Sequence, residues 1–363
     1  MGSVAQTSAA CPVAVGSVAH GLAACPVARE PASARVDGSS PAPQIEARVP
    51  FAADVLFPDA DTIVVADWDE RAHVSLDRGA TWETHPLRLW SRDMTVGANG
   101  VYWSLYFWRR MHGEASMATL AYSRNRGRVW TEVEWPVEVG HGVELAVPVD
   151  FLTPAGEEPI VLDDLGRCWR HESWGPESFA SWKPIGESIP REAGARGFRF
   201  AVCGVASATN ILVSAGGDVW LGTRGATTWT ATHGPSAVAL EAIPRAHDEE
   251  PERIAAATFD GELFVFDPST NAWRRLGAVP LRNARVFGFA TTTQGLWPCG
   301  EAAGKPIGGW MDFAGRWHAL DGLPEHGQSN AIRAAPNDRV AIACGGVYVA
   351  SADRTRWEHV WPK

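Results

Sequence analysis

The sequence predicts an all-β chain folded as a seven-bladed β-propeller of four-stranded antiparallel blades, and three observations carry that prediction. A tryptophan recurs at Trp82, Trp130, Trp182, Trp229, Trp273, Trp317 and Trp357, at intervals of 48, 52, 47, 44, 44 and 40 residues. Short β-rich runs alternate with Gly-, Asp- and Asn-containing turns from about Phe51 onward, with no amphipathic window long enough to compete as a helix. Four strands per 40–50 residues, repeated radially, match the size of one propeller blade.

The elements follow in order. In the first unit, residues 62–67 (TIVVAD) read as a strand, 72–75 (AHVS) as the next and 82–87 (WETHPL) as the outer one. The second unit repeats this as 101–108, 119–123 and 130–136. Later units keep the phase: 159–164 precedes CWRHESW and SWKPIG, 211–216 precedes DVWLGT and TWTATHG, and 253–259 precedes ELFVFD and WRRLG. Residues 285–291 then precede GLWPCG and RWHALDG, and 339–345 precede VYVASAD and RWEHVW. A meander of this size cannot bury both faces alone, so stacking on its neighbours must supply the core, and closure of the ring removes exposed edges. Residues 44–56 can supply either the innermost strand of the first blade or an outer strand completing the last.

The propeller is read over residues 44–363 and is preceded by a tail, residues 1–43. Residues 2–15 (GSVAQTSAACPVAV) are echoed by 16–29 (GSVAHGLAACPVAR), including the pairs Cys11-Pro12 and Cys25-Pro26. The tail is rich in Ala, Gly, Ser and Pro and has little to bury, which predicts disorder. It reads as a low-complexity expansion, a thiol-bearing segment similar to short haem-regulatory Cys-Pro motifs, or a processed or docking peptide.

Composition narrows the function classes. A net charge of -10 argues against a nucleic-acid partner. No apolar run reaches the length of a membrane span, and no basic segment followed by a long apolar one opens the chain, so a cytoplasmic location is the expectation; a monomer is compatible with the sequence. The six cysteines form no CxxC pair and lack His neighbours at ligand spacing, so no metal site is read and no motif names a cofactor.

The stretch Ser75-Leu76-Asp77-Arg78-Gly79-Ala80-Thr81-Trp82 has its own turn chemistry. Ser and Asp oxygens can accept backbone N–H groups across a tight hairpin, Gly79 can take positive φ, and Trp82 opens the next strand. Ser123-Arg124-Asn125-Arg126-Gly127-Arg128-Val129-Trp130 is a near copy, and Ser351-Ala352-Asp353-Arg354-Thr355-Arg356-Trp357 a shortened one. The first stretch matches the pattern S-x-D-x-G-x-T-W in full, the second has Asn125 for Asp and Val129 for Thr, and the third lacks the Gly, so the chain resembles the sialidase-like Asp-box, or BNR repeat, propellers over roughly residues 51–363. The resemblance implies that the box lies on the turn between third and fourth strands, away from the ligand face, with Asp77 architectural. The sialidase catalytic pattern is missing: no Arg-Ile-Pro segment opens the ring, and Tyr102, Tyr106, Tyr122 and Tyr348 cannot be placed beside a partner glutamate.

A site is therefore sought on the opposite face, where second-to-third-strand turns and blade-to-blade connections gather. Charged and aromatic groups concentrate there in blades one to three. Trp68, Trp108, Arg109, Arg110, His112 and His141 are candidate ligand-binding residues, since guanidinium pairs beside an indole suit a polar organic ligand, a peptide or a partner protein. Asp67, Asp164 and Glu114 are candidate catalytic groups for the alternative, a glycoside hydrolase or lyase using opposed carboxylates.

Overall fold

The computed structural model describes residues 51–87, 91, 93–97, 100–108, 117–133, 148–152, 159–163, 166–171, 182–187, 189–190, 201–207, 209–223, 228–245, 247 and 249–362. Those residues form seven sheets, each a blade whose strands pair antiparallel in chain order. No α-helix occurs among the described residues. Blade one comprises Ala52–Leu56, Ile63–Asp67, Arg71–Ser75 and Glu83–Pro86, and blade two Asp93–Val96, Tyr102–Trp108, Met117–Ser123 and Thr131–Val133. Blade three comprises Pro148–Leu152, Ile160–Asp163, Cys168–His171 and Trp182–Ile185. Blades four and five begin with Ala201–Ala206 and Ala237–Ala242 and end with Thr230–Ala231 and Ala272–Ala278. Blade seven comprises Ala331–Ala334, Val340–Cys344, Gly346–Ala350 and Trp357–Trp361.

Blade six corrects the sequence reading. Ala284–Thr291 is its first strand rather than its second, and Gly295–Ala302 is the second. The third, Gly309–Asp312, escaped notice because a small hairpin intervenes, pairing Ala302 with Lys305 and Glu301 with Pro306. Ala303 and Gly304 make its tip, both at positive φ.

The first strand of each blade touches the first strand of the next, and blade seven's touches blade one's, so these strands line the axis of a closed ring. Ala52–Leu56 is thus the innermost strand of blade one, which decides the alternative the sequence left open. The last blade is completed by Trp357–Trp361, so among the described residues no strand from the other end of the chain crosses the joint. Instead the seam is held by Ala52 N–H donating to Gly345 O (3.3 Å), Arg339 Nη1 to Ala60 O (2.7 Å) and Trp82 Nε1 to Val360 O (3.2 Å).

Each tryptophan of the recurring set stands at or beside the start of a fourth strand. Each also packs into the apolar layer shared with the preceding blade: Trp82 with Trp361 and Val360, Trp130 with Val74 and Leu87, Trp182 with Trp103 and Phe151, and Trp357 with Trp297 and Trp310. Trp229, Trp273 and Trp317 do the same in the remaining layers. Seven such layers alternate with seven blades, so burial is distributed around the ring instead of being gathered into one central core.

Candidate functional site

Because strands alternate in direction, the second-to-third-strand turns and the blade-to-blade connections emerge on one face, the loop face. The box turns emerge on the other. In blade one's box, Ser75 Oγ accepts the Gly79 N–H (2.7 Å) and Asp77 accepts the Thr81 N–H and hydroxyl (2.8 and 2.6 Å). Those Thr81 bonds and the Ser75 hydroxyl hold the Asp77 carboxyl down to about 2. Asn125 and Ser123 repeat the scheme in blade two. The Ser75 and Asp77 oxygens are spent on their own turn.

Asp67 closes the second strand of blade one at the loop face, but its side chain is wholly buried. Its Oδ1 accepts the N–H groups of Asp69 and Arg71, each at 2.9 Å, and its Oδ2 accepts from His73 Nε2 at 2.8 Å. His73 Nδ1 in turn lies 2.9 Å from Thr84 Oγ1, and its ring packs on Trp361 at 4.6 Å. Burial would raise the Asp67 carboxyl, yet the His73 bond and the backbone donors outweigh it and leave the group below the ordinary carboxylate range. A general acid or base must reach its substrate. Asp67 instead caps a turn.

Asp163 occupies the equivalent position in blade three. It accepts the Arg167 N–H (2.8 Å), Arg167 Nε (2.7 Å) and Trp169 Nε1 (2.8 Å) while buried. In blade five Thr258 stands at that place, its hydroxyl accepting the Glu262 N–H (3.0 Å). A side-chain oxygen on the last strand residue thus caps the N–H four residues on. The pattern Asp-x-x-x-Arg at 67–71, 163–167 and 312–316 carried this signal in the sequence, where it went unread.

Of the remaining sequence candidates, Trp68 is described and exposed, its N–H donating to Phe51 O at 3.1 Å. Trp108 ends a strand of blade two, with its side chain outside the described residues. Asp164, Glu114, Arg109, Arg110, His112 and His141 all lie outside the described residues, as does the Cys-Pro tail. No cluster of three metal-ligating side chains occurs among the described residues.

The loop face holds features that the sequence reading missed. Seven large apolar side chains are exposed among the described residues. Phe51, Trp68, Phe259 and Leu281 sit on the loop face, Phe287 within the first strand of blade six beside Phe259, and Leu76 and Val129 on box turns. Phe259 and Phe287 face each other at 6.2 Å. A groove of about 360 Å³ opens beside Phe51, between the blade six-to-seven connection and the end of blade seven. Pro324, His326, Gln328, Tyr348 and His359 line it with Phe51, and among the described residues no Asp, Glu, Lys or Arg does. The His359 and Tyr348 rings lie 4.8 Å apart. Gly346 makes that possible, since a Cβ there would stand 2.7 Å from His359 Nε2 and 2.5 Å from Trp361 O. Cys344 at the groove floor has its thiol pushed up to about 11 by burial, so it is a neutral lining group rather than a nucleophile.

Architecture decides what this chain is similar to. Its likeness is to β-propellers. No family model and no curated protein sequence matches it. Among solved structures, virginiamycin B lyase from Staphylococcus aureus superposes with a TM-score of 0.58 at 10% identity, over 82% of this chain and 92% of that one. YCF48 from Cyanidioschyzon merolae gives 0.57 at 14% identity, over 83% and 94%. A structure of YCF48 bound to a D1 peptide gives 0.51 at 16%, over 83% and 92%. At such identities the likeness establishes the fold alone.

Proposed function

We propose that the protein is a binding module whose loop face takes a segment of polypeptide, with an uncharged stretch in the groove beside Phe51 and an apolar contact on Trp68. The concentration of exposed apolar side chains on this one face carries the reading, because monomer surfaces seldom gather such groups without a partner to cover them. The groove suits a ring or proline side chain, with His326, Gln328, Tyr348 and His359 offering hydrogen bonds to the peptide around it. A propeller with a peptide bound, YCF48, supports the reading by analogy of fold only. The sealed carboxylate of Asp67 favours binding over the glycoside hydrolase or lyase alternative. The hydrogen-bonded boxes further support kinship with the Asp-box propellers.

The test is selection of a displayed random peptide library on the immobilised protein, followed by affinity measurement of an enriched peptide. Phe51→Ala, Trp68→Ala and Tyr348→Ala should each weaken it roughly 10- to 30-fold, as buried aromatic contacts do. Leu76→Ser and Val129→Ser, on the box face, should leave it unchanged. Peptides that bind both sets of variants alike would refute the assignment of the face.

A further inference from the structure

On the outer strand of blade one, Thr84 stands directly across from His73 of the third strand. Thr84 is exposed and His73 is buried, and the Thr84 hydroxyl lies 2.9 Å from His73 Nδ1. The imidazole is held from behind, with Nε2 2.8 Å from Asp67 Oδ2 and the ring 4.6 Å from that of Trp361. Hydroxyl, imidazole and carboxylate thus follow one another from the surface inward, each within hydrogen-bond reach of the next.

The carboxylate fixes the direction of these bonds. Asp67 is ionised, its hydrogen-bond donors outweighing burial, and so can only accept; Nε2 therefore carries the hydrogen of the neutral ring. Nδ1 is left with a lone pair, to which the Thr84 hydroxyl donates. A hydroxyl donating to an imidazole backed by a carboxylate is the arrangement that turns an alcohol into a nucleophile, and it is recognised by roles, whatever the order in the chain.

Two further observations set this constellation apart from turn capping. At the equivalent place in blade three, Asp163 is met by the Trp169 indole, so a cap needs only a ring N–H. An imidazole adds a second nitrogen that can take a proton. The pairing also turns the Thr84 backbone N–H to the open edge. The Leu87 N–H bonds Glu70 O, and bonded pairs alternate along an antiparallel ladder, so His73 and Thr84 form a non-bonded pair with close side chains. The Thr84 N–H then points away from the third strand, where it can stabilise an oxyanion formed at its own hydroxyl.

We propose that Thr84 is an acyl-acceptor site whose hydroxyl takes the acyl group of an activated ester or thioester, with His73 as general base and Asp67 as the residue that positions it. Thr84 Oγ attacks the carbonyl carbon while its proton passes to His73 Nδ1. Collapse of the tetrahedral adduct breaks the bond to the departing oxygen or sulfur, which leaves with that proton, and Thr84 becomes its ester. This goes beyond the loop-face reading and does not depend on it.

The full-length protein is incubated with p-nitrophenyl acetate, and acetylation is followed site by site by peptide mass spectrometry. Thr81, an exposed threonine whose hydroxyl donates to the Asp77 carboxylate, is the internal reference. Thr84 should be acetylated at least about 100-fold faster than Thr81, the lower end of the range for general-base assistance. Thr84→Ser should keep the label, Thr84→Val should lose it, and His73→Gln should slow it by about the same 100-fold. The wild-type rate should also fall in D2O, which tests the proton transfer even where His73→Gln does not fold. Nitrogen-15 spectra of histidine-labelled protein should place the hydrogen of neutral His73 on Nε2, and Asp67→Asn should shift that hydrogen and the acetylation rate together. Acetylation of Thr84 no faster than of Thr81, equal rates in H2O and D2O, or a neutral His73 with its hydrogen on Nδ1 would overturn the proposal.

Discussion

Asp67 shows how one carboxylate can look like chemistry in a sequence and serve as architecture in the fold. With both oxygens engaged and its side chain buried, replacing it by Asn sets an amide N–H against either His73 Nε2 or the Asp69 and Arg71 N–H pair. Asp67→Asn should cost about 1–3 kcal/mol in urea unfolding, the usual range for a buried partner left unsatisfied. Peptide affinity at the loop face should change little. The polar character of this turn was legible in the sequence, but its direction was not. Whether a carboxylate at a strand end points outward or folds back over its own turn depends on the N–H four residues on. Only the recurrence of Asp followed by Arg at that spacing hinted at it.

At the scale of the element, the box hairpins and the strands leading from them were legible because each depends on neighbours in sequence. Ser75, Asp77, Gly79 and Thr81 bond within one turn, and Trp82 follows at a fixed offset. Blade six was misphased because its extra hairpin places a second turn where one is expected. The groove was illegible for the opposite reason, since Phe51, His326, Tyr348 and His359 meet only when the ring closes. Two glycines separate local strain from packing across the seam. Gly79 and Gly100 both have positive φ, but a Cβ at Gly79 would stand 3.2 Å from Val360 Cβ, whereas one at Gly100 meets nothing within 4 Å. Gly100→Ala should cost about 1–2 kcal/mol from backbone strain alone, and Gly79→Ala measurably more in the same denaturant titration. Equal losses would mean that the seam contact contributes nothing.

For the whole molecule, two sets of carboxyls oppose each other as pH changes. Asp67, Asp77 and Asp312 are held low, Asp312 chiefly by the Arg316 N–H, so their contribution is present above the unfolded value and lost as pH falls through the folded one. Asp54 and Glu241 run the other way. Their folded values of about 6 and about 7 exceed the ordinary 3.8 and 4.5, so the folded chain holds extra protons in that window and stability declines as pH rises through it. The melting temperature should therefore peak near about pH 5 and fall toward pH 8. Asp54→Asn should flatten that fall in a thermal-unfolding series across pH, and an unchanged slope would locate the effect elsewhere.

The joint between blades seven and one is the place where the ring relies on side chains and a few hydrogen bonds instead of a continuous strand, and the groove beside Phe51 opens over it. Anything seated there touches both sides of the joint at once. It would act as a clasp, so occupancy of the groove and the resistance of the ring to opening would be one quantity measured in two ways.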